Sequence, residues 1–300
     1  MKNSGIGGQA LMEGVMMRNG KEYACAVRKT DGEIVLQKEK YKTIGGSDKW
    51  RKIPFVRGPF IFLDSLKLGF ETLSWSSGFF MEEEESEAET NGKKGETLAM
   101  GFSVVLAVLL AVGLFIVLPS ALVRLLKNVI GSRLGIALAE GLIRLVIFLL
   151  YLYLISQMKE IRRVFMYHGA EHKCISCIEH GLPLTVENVR KSTRFHKRCG
   201  TSFILFTLLV SIVVGIFLPK EPLLLRIGCK LLALPIVMSL SYEFIRLAGS
   251  TENKIIGALS KPGLWLQRLT TKEPTDDMIE VGIASVEAVF DWKDWEEKNF

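Results

Sequence analysis

Histidine and cysteine residues are concentrated in one short part of this chain. All four histidines and three of the five cysteines fall between residues 168 and 199. Nitrogen and sulfur donors are the usual protein ligands of transition metals, and of zinc in particular. The concentration therefore predicts a metal site whose cofactor is zinc or another divalent transition metal. The residues concerned are His168, His172, His180, His196, Cys174, Cys177 and Cys199.

The spacing of two histidines predicts how such a site would work. His168, Glu171 and His172 form an H-x-x-E-H pattern, and residues i and i+4 of a helix share one face, so both imidazoles can reach one ion. In enzymes with this inverted zincin pattern, the glutamate takes a proton from water. We predict that His168, His172 and His196 bind the metal. Cys199 is the predicted fourth ligand or a close neighbour, and Glu171 is the predicted catalytic residue.

Two other interpretations of these residues stay open. Cys174 and Cys177 form a C-x-x-C pair, which His196 and Cys199 could complete to the four ligands of a closed, structural zinc ribbon. That grouping leaves the two histidines of the H-x-x-E-H pattern unexplained. In the other interpretation, the histidines are polar residues near lipid phosphates and bind no metal.

The chain that carries these residues is too apolar for a simple cytosolic protein. It has 300 residues, of which 49% are hydrophobic, and its mean hydropathy is +0.27. A helix needs about 20 predominantly apolar residues to cross a bilayer. Four stretches meet this need, which predicts an α-helical polytopic membrane protein with four transmembrane helices within residues 98–247. The stretches are 98–123, 134–158, 200–219 and 223–247.

Charged residues set the expected orientation. Some lie inside the second and fourth stretches, such as Glu140 and Arg144, and these are expected to snorkel to the membrane surface. The connection 159–199 holds nine Lys and Arg residues, whereas residues 124–133 hold three. The positive-inside rule therefore places the metal-binding loop 159–199 and both termini on the cytoplasmic side of the membrane. The net charge of +6 indicates membrane lipid as a partner and not nucleic acid.

The segments outside the membrane domain differ in character. Residues 1–52 are predicted to form a small cytoplasmic β-containing module, with a hairpin that turns at Asp31 and Gly32. Residues 53–80 are predicted to be an interfacial amphipathic segment. Residues 81–97 are predicted to be an acidic disordered linker. Residues 248–300 are predicted to be a cytoplasmic helical segment, with one helix that starts after Thr275.

Several longer motifs resemble the YqhQ-like family of bacterial inner-membrane proteins. They are GGQALMEGVMMR at 7–18, VRGP at 56–59, YHGAEHK at 167–173, LTVENVR at 184–190 and HKRCGTS at 196–202. The resemblance spans nearly the whole chain, although Lys197 stands where the family commonly has proline. It implies a predicted metal-dependent enzyme whose reaction is undetermined. It also implies that the opening motif, with Glu13 and Arg18, is a second functional element folded against the metal site.

Together these features predict a metal-dependent membrane enzyme, most concretely a zinc hydrolase at the cytoplasmic membrane face of a bacterial cell. A peptide or a lipid-derived molecule that reaches the inner leaflet is the expected substrate. The alternative is a membrane scaffold or regulatory protein in which the metal is only structural. A transporter is disfavoured because the chain has few spans.

Overall fold

The computed structural model describes residues 2–44, 49–81, 93–126, 130, 132–219, 222–251 and 253–300. This part of the chain is mostly helical and carries one sheet near its start. The strands are β1 Gly7–Leu11, β2 Gly14–Asn19, β3 Glu22–Arg28 and β4 Ile34–Lys40. The helices are α1 Arg57–Met81, α2 Lys93–Val112, α3 Leu118–Leu125, α4 Arg133–Ile155, α5 Lys159–Glu179, α6 Val186–Lys191, α7 Gly200–Phe217, α8 Leu223–Ser250, α9 Lys254–Thr270, α10 Asp276–Val289 and α11 Trp292–Asn299.

The four strands form an antiparallel sheet in chain order. The predicted turn at Asp31 and Gly32 joins β3 to β4, where the Gly32 amide donates to the Lys29 carbonyl. Gly32 adopts a φ of +88°, a backbone conformation that glycine reaches without the strain a side chain would bring. The β-containing character predicted for the N-terminal segment is therefore confirmed.

Strands β2 and β3 bury side chains on both faces of the sheet. Successive side chains of a strand point in opposite directions, so each strand contributes to two cores. Val15 and Ala24 belong to a core that α5 and α10 share. Met16 and Cys25 face the other way, into a second core that contains Leu68 of α1. The sheet therefore lies between α1 on one side and α5 with α10 on the other.

Among the described residues, four helical segments are long and apolar enough to cross a membrane. They match the four stretches predicted from the sequence. They are Gly101–Leu125, Leu134–Ile155, Gly200–Phe217 and Leu223–Ser250. The first runs from α2 through a π-helical segment, Gly113–Val117, into α3. Large apolar side chains stand exposed on their outer surfaces, among them Phe217 at 79% and Leu232 at 80%. Exposed apolar side chains of this kind are typical of surfaces that contact lipid or another protein.

The charges inside these segments do not snorkel as expected. Glu140 and Arg144 are both buried, and an Arg144 Nη2 donates to Glu140 over 2.9 Å. They turn into the bundle because Arg226 and Lys230 of α8 donate to the same carboxylate. An inward ionic network therefore replaces the predicted route to the membrane surface.

Two segments outside the four apolar stretches are mostly helical. Residues 53–80 contain α1. Gly58, near the start of α1, packs on the backbone of Ser239 in α8. The other end of α1 covers the sheet. The connection 159–199 is mostly α5 and α6, and the second half of α5 is deeply buried. The predicted acidic linker falls mainly on residues 82–92, which lie outside the described residues.

The C-terminal segment closes around α5. Helix α10 begins after Thr275, as predicted, and buries Ile279 and Val286. The segment before it packs on α5 at Gly169, where a Cβ atom would overlap the Lys272 carbonyl oxygen. Only glycine fits at this position, so α5 is held at the level of the H-x-x-E-H residues.

Candidate metal centre

Helix α5 presents His168, Glu171 and His172 on one face, as the i, i+3 and i+4 spacing requires. Cys199 faces them from the start of α7, where its sulfur accepts the Thr201 amide. The Cys199 Sγ atom lies 3.4 Å from His168 Nε2. Ligand atoms of His168, His172 and Cys199 all lie within 4.8 Å of one another, and among the described residues this is the one group of three such ligands.

Backbone carbonyl groups select the nitrogen that each histidine offers. His168 Nδ1 lies 2.9 Å from the Thr270 carbonyl oxygen, and His172 Nδ1 lies 2.6 Å from that of Arg194. A carbonyl oxygen can only accept, so each Nδ1 carries the proton. Both Nε2 atoms then face Cys199, and each has a lone pair for a metal when its ring is neutral. Metal-binding histidines are commonly oriented by this kind of outer hydrogen bond.

The electrostatics favour the metal-binding form of the cysteine. Burial disfavours the Cys199 thiolate, but the imidazoles of His168 and His172 outweigh it and hold the pKa of the thiol well below its usual range. Burial also disfavours the His168 imidazolium, but the adjacent Cys199 raises the pKa of His168 to about 9. A thiolate is the form of cysteine that binds metal. The two shifts describe a thiolate paired with an imidazolium, so a metal that binds here would displace the proton from His168 Nε2.

Glu171 lies beside this group and is almost fully buried. Its Oε2 atom is 3.9 Å from His168 Nε2. Burial raises the pKa of Glu171, against the opposing effect of the neighbouring imidazoles. Strand β1 covers the carboxylate, since a Cβ atom on Gly8 would lie 2.7 Å from Glu171 Cγ. The opening glycine motif thus packs directly on the predicted catalytic residue.

The structure does not bring His196 into this group of ligand atoms. Its Nε2 lies 3.3 Å from Glu179 Oε2, and its Nδ1 accepts the Arg198 amide. Its backbone exchanges two hydrogen bonds with the Gln267 side chain. The ring remains near, with its centre 5.8 Å from that of His172. Both ring nitrogens of His196 have protein partners in this structure, and its predicted role as a ligand stays a prediction.

The grouping required for a zinc ribbon is not assembled. Cys174 faces α10, where its sulfur would lie 2.9 Å from a Cβ atom on Gly282. The Cys177 sulfur points instead to the carbonyl oxygens of Leu182 and Pro183. Burial raises the pKa of Cys177 to about 11. Both thiols are therefore neutral core groups directed away from Cys199.

Two residues of the opening motif that were expected to serve the site have different surroundings. Glu13, at the β1–β2 turn, accepts hydrogen bonds from Arg163 of α5 and from the Tyr167 hydroxyl. It therefore holds the first half of α5 against the sheet. Arg18 stacks on the Tyr41 ring, with 4.2 Å between its guanidinium carbon and the ring centre, and does not reach the metal ligands.

A cavity of about 600 Å³ opens beside two of the three ligands, His168 and Cys199. Glu171 and Arg198 also belong to its polar lining. Its other walls are mostly apolar and come from α1, α5, α7 and α8, including Ile61, Phe62, Leu66, Phe165, Phe203, Ile204 and Ile245. The arrangement can hold a molecule whose polar group reaches the ligands while an apolar part fills the remaining space.

The groups that support this site could not be recognised in the sequence. The carbonyls of Thr270 and Arg194 have no sequence signature, because every residue has a carbonyl group. Gln267, fully buried against His196, also escaped notice. Gly8 carried a weak signal, since it stands in a pair of glycines that opens a strand.

Comparison with known proteins gives a family without a function. The family model "Protein of unknown function (DUF1385)" matches residues 53–292. The uncharacterized protein YqhQ of Bacillus subtilis (strain 168) is 38% identical over 289 residues, which cover 93% of this chain and 90% of that protein. No solved structure matches this chain. The resemblance noted in the sequence motifs is confirmed.

The contact between β1 and Glu171 leads to a testable prediction. In Gly8→Ala the new methyl group meets Glu171 Cγ and the Met16 carbonyl oxygen, each at 2.7 Å. We expect the free energy of unfolding to fall by about 1–3 kcal/mol, measured by denaturation in mild detergent. Gly7→Ala is the matched control, because a Cβ atom there has nothing within 4 Å. Equal stability of the two variants would contradict the described packing.

Proposed function

Because the chain belongs to the DUF1385 family of proteins of unknown function, its activity must be inferred from its own site, and we propose that it is a zinc-dependent hydrolase of the bacterial inner membrane. The observation that carries the proposal is the convergence of His168, His172 and Cys199 beside Glu171. In this proposal the four apolar helices span the membrane. The basic connection 159–199 and both termini lie on the cytoplasmic side.

The ligand set fits zinc and leaves room for reaction. Two imidazole nitrogens and one thiolate are ligands that zinc accepts, and a site with three protein ligands keeps its fourth tetrahedral position open. When bound there, zinc supplies Lewis acidity, which polarises the bond to be cleaved and makes water more acidic. His196 contributes by fixing the segment before Cys199, through Gln267 and Glu179.

Glu171 is the proposed general base. Its carboxylate lines the cavity beside the ligands, so it can reach a water molecule placed between the ligands and the substrate. It would accept a proton from that water and later give a proton to the leaving group. Because Glu171 is buried, few solvent molecules can exchange protons with its carboxylate. The backbone at Gly8 packs against the side chain and restricts its movement away from the cavity.

The cavity supports a substrate with an apolar part. Its long walls are built by residues of the apolar helices α7 and α8 and of α1. A lipid-derived molecule or a hydrophobic peptide would place its scissile bond at Glu171 and its apolar part along Phe62 and Phe203. Proximity to the proposed inner leaflet favours the lipid-derived class.

One observation favours the alternative, a scaffold or regulatory protein with a structural metal. Glu171 is enclosed by β1 as tightly as a packing residue would be. In this case the same three ligands would fasten α5 to the start of α7. The two functions differ in what they require from the Glu171 carboxylate, so a change at that residue separates them.

Metal content tests the ligand assignment. We expect about one zinc per chain in protein purified in detergent without chelators, measured by elemental analysis. His168→Ala combined with His172→Ala removes two of the three ligands, so this variant should contain almost no zinc. Cys174→Ser combined with Cys177→Ser is the control and should keep the metal, because neither sulfur faces the site. Metal retained in the histidine double variant would reject the assignment.

Glu171→Gln tests catalysis at nearly constant shape. The amide keeps the size of the side chain but cannot accept a proton, so we expect normal zinc content and a loss of turnover of about 100-fold or more. The readout is the membrane lipid and peptide composition of cells that lack the chromosomal copy. The unaltered chain should restore this composition, and Glu171→Gln should not. Full restoration by Glu171→Gln would exclude the hydrolase and support the structural metal.

A further inference from the structure

A second cluster of charged side chains lies in the apolar bundle, away from the metal ligands. Glu140 of α4 lies at the centre of this cluster and is its acidic residue. The carboxylate accepts hydrogen bonds from Arg144, Arg226 and Lys230, and from the Ser120 hydroxyl over 2.9 Å. All of these groups belong to helices with the length and composition of membrane spans. Charged groups at such positions are rare and mark binding or transport sites by default.

The cluster lies in the half of the bundle that is remote from Cys199. Arg144 donates to Ser211, which follows Cys199 by twelve positions and so stands about 18 Å further along α7. Lys230 stands about 10 Å inside the first residue of α8. In the proposed insertion, both positions lie in the outer part of a hydrocarbon layer about 30 Å thick, from which long basic side chains can reach the headgroups of the leaflet opposite the metal centre.

The π-helical segment contributes to the cluster. Arg144 Nε donates over 2.7 Å to the carbonyl oxygen of Phe115, in the middle of Gly113–Val117. A π-helical turn disturbs the regular i to i−4 pairing, which makes a carbonyl accessible to a side chain. The local irregularity of this helix therefore serves to hold the Arg144 guanidinium in place.

The charges that face the adjacent cavity do not balance. Arg144 and Lys230 share the carboxylate of Glu140, and their other partners are neutral: Phe115 and Ser211 for Arg144, and Ser120 for Lys230. Among the described residues, these two cations share one carboxylate, which leaves one positive charge beside the cavity. A charge without a counter-charge is costly in hydrocarbon. An anion in contact with Arg144 and Lys230 would remove this cost.

The cavity has the form that an anionic amphiphile needs. Its volume is about 190 Å³, and Arg144 and Lys230 are the charged residues in its wall. Most of the remaining wall is apolar and comes from the π-helical segment, α7 and α8, including Ile116, Leu208, Val214, Ala233 and Val237. A headgroup at the two cations would leave its chain among these apolar side chains.

We propose that this cavity binds an anionic phospholipid of the leaflet opposite the metal centre, with its phosphate against Arg144 and Lys230. The site depends on the proposed insertion of α4, α7 and α8 into a membrane. It does not depend on the proposed zinc hydrolase, because none of its residues belongs to the metal centre. Bound lipid would join the π-helical segment to α7 and α8.

The test is the thermal stability of the full chain in neutral detergent with added lipid. Phosphatidylglycerol should raise the melting temperature more than phosphatidylcholine does, and inorganic phosphate should have no such effect. Lys230→Met removes a cation, and Ala233→Phe fills the cavity while keeping every charge. Each should weaken the apparent affinity for phosphatidylglycerol by about tenfold or more. Lys159→Met, at an exposed lysine outside the bundle, is the control and should leave this affinity unchanged.

Three results would overturn the proposal. The first is equal stabilisation of the unaltered chain by the two lipids, and the second is an undiminished preference for phosphatidylglycerol in both cavity variants. The third is a matching effect of inorganic phosphate, which would assign the cations to a free anion. If Lys230→Met fails to fold, Ala233→Phe decides the outcome by itself. Zinc content measured on the same samples keeps a failure of the metal proposal separate from a failure of this one.

Discussion

The direction of two imidazole rings is the constraint on which the candidate centre depends. Hydrogen bonds to the carbonyls of Thr270 and Arg194 place the proton of each ring on Nδ1 and leave each Nε2 facing Cys199. Those carbonyls belong to the end of α9 and to the segment before α7. The site can therefore form only when these two parts of the chain have closed around α5. Gly169 permits that closure because nothing larger fits under Lys272.

The buried carboxylate of Glu179 also holds the segment before α7 in place. Glu179, at the end of α5, accepts hydrogen bonds from His196, Arg198 and the N-terminal Ser4. Burial disfavours its charge, but these partners outweigh burial and hold the pKa of Glu179 at about 2. The carboxylate therefore stays ionised at physiological pH and ties the start of the chain to the segment that carries Cys199. Glu179 therefore links the segment before β1, the end of α5 and the segment before α7.

The features that sequence analysis predicted are those that depend on local rules. A helix needs a minimum length of apolar residues to cross a bilayer. The four candidate spans could therefore be identified from the sequence. The Asp31–Gly32 turn and the shared face of His168 and His172 also follow from nearby residues. Contacts between distant segments were not predictable in this way. Packing decided that Glu140 would meet Arg226 and Lys230 rather than water, and that His196 would turn to Glu179.

X-ray absorption spectroscopy of the zinc-loaded protein in detergent tests the central claim most directly. The convergence of two histidines and one cysteine predicts nitrogen scatterers at about 2.0–2.1 Å and a single sulfur at about 2.3 Å, which is lost in Cys199→Ser. A coordination shell without sulfur, or a sulfur signal that persists in Cys199→Ser, would contradict the described centre.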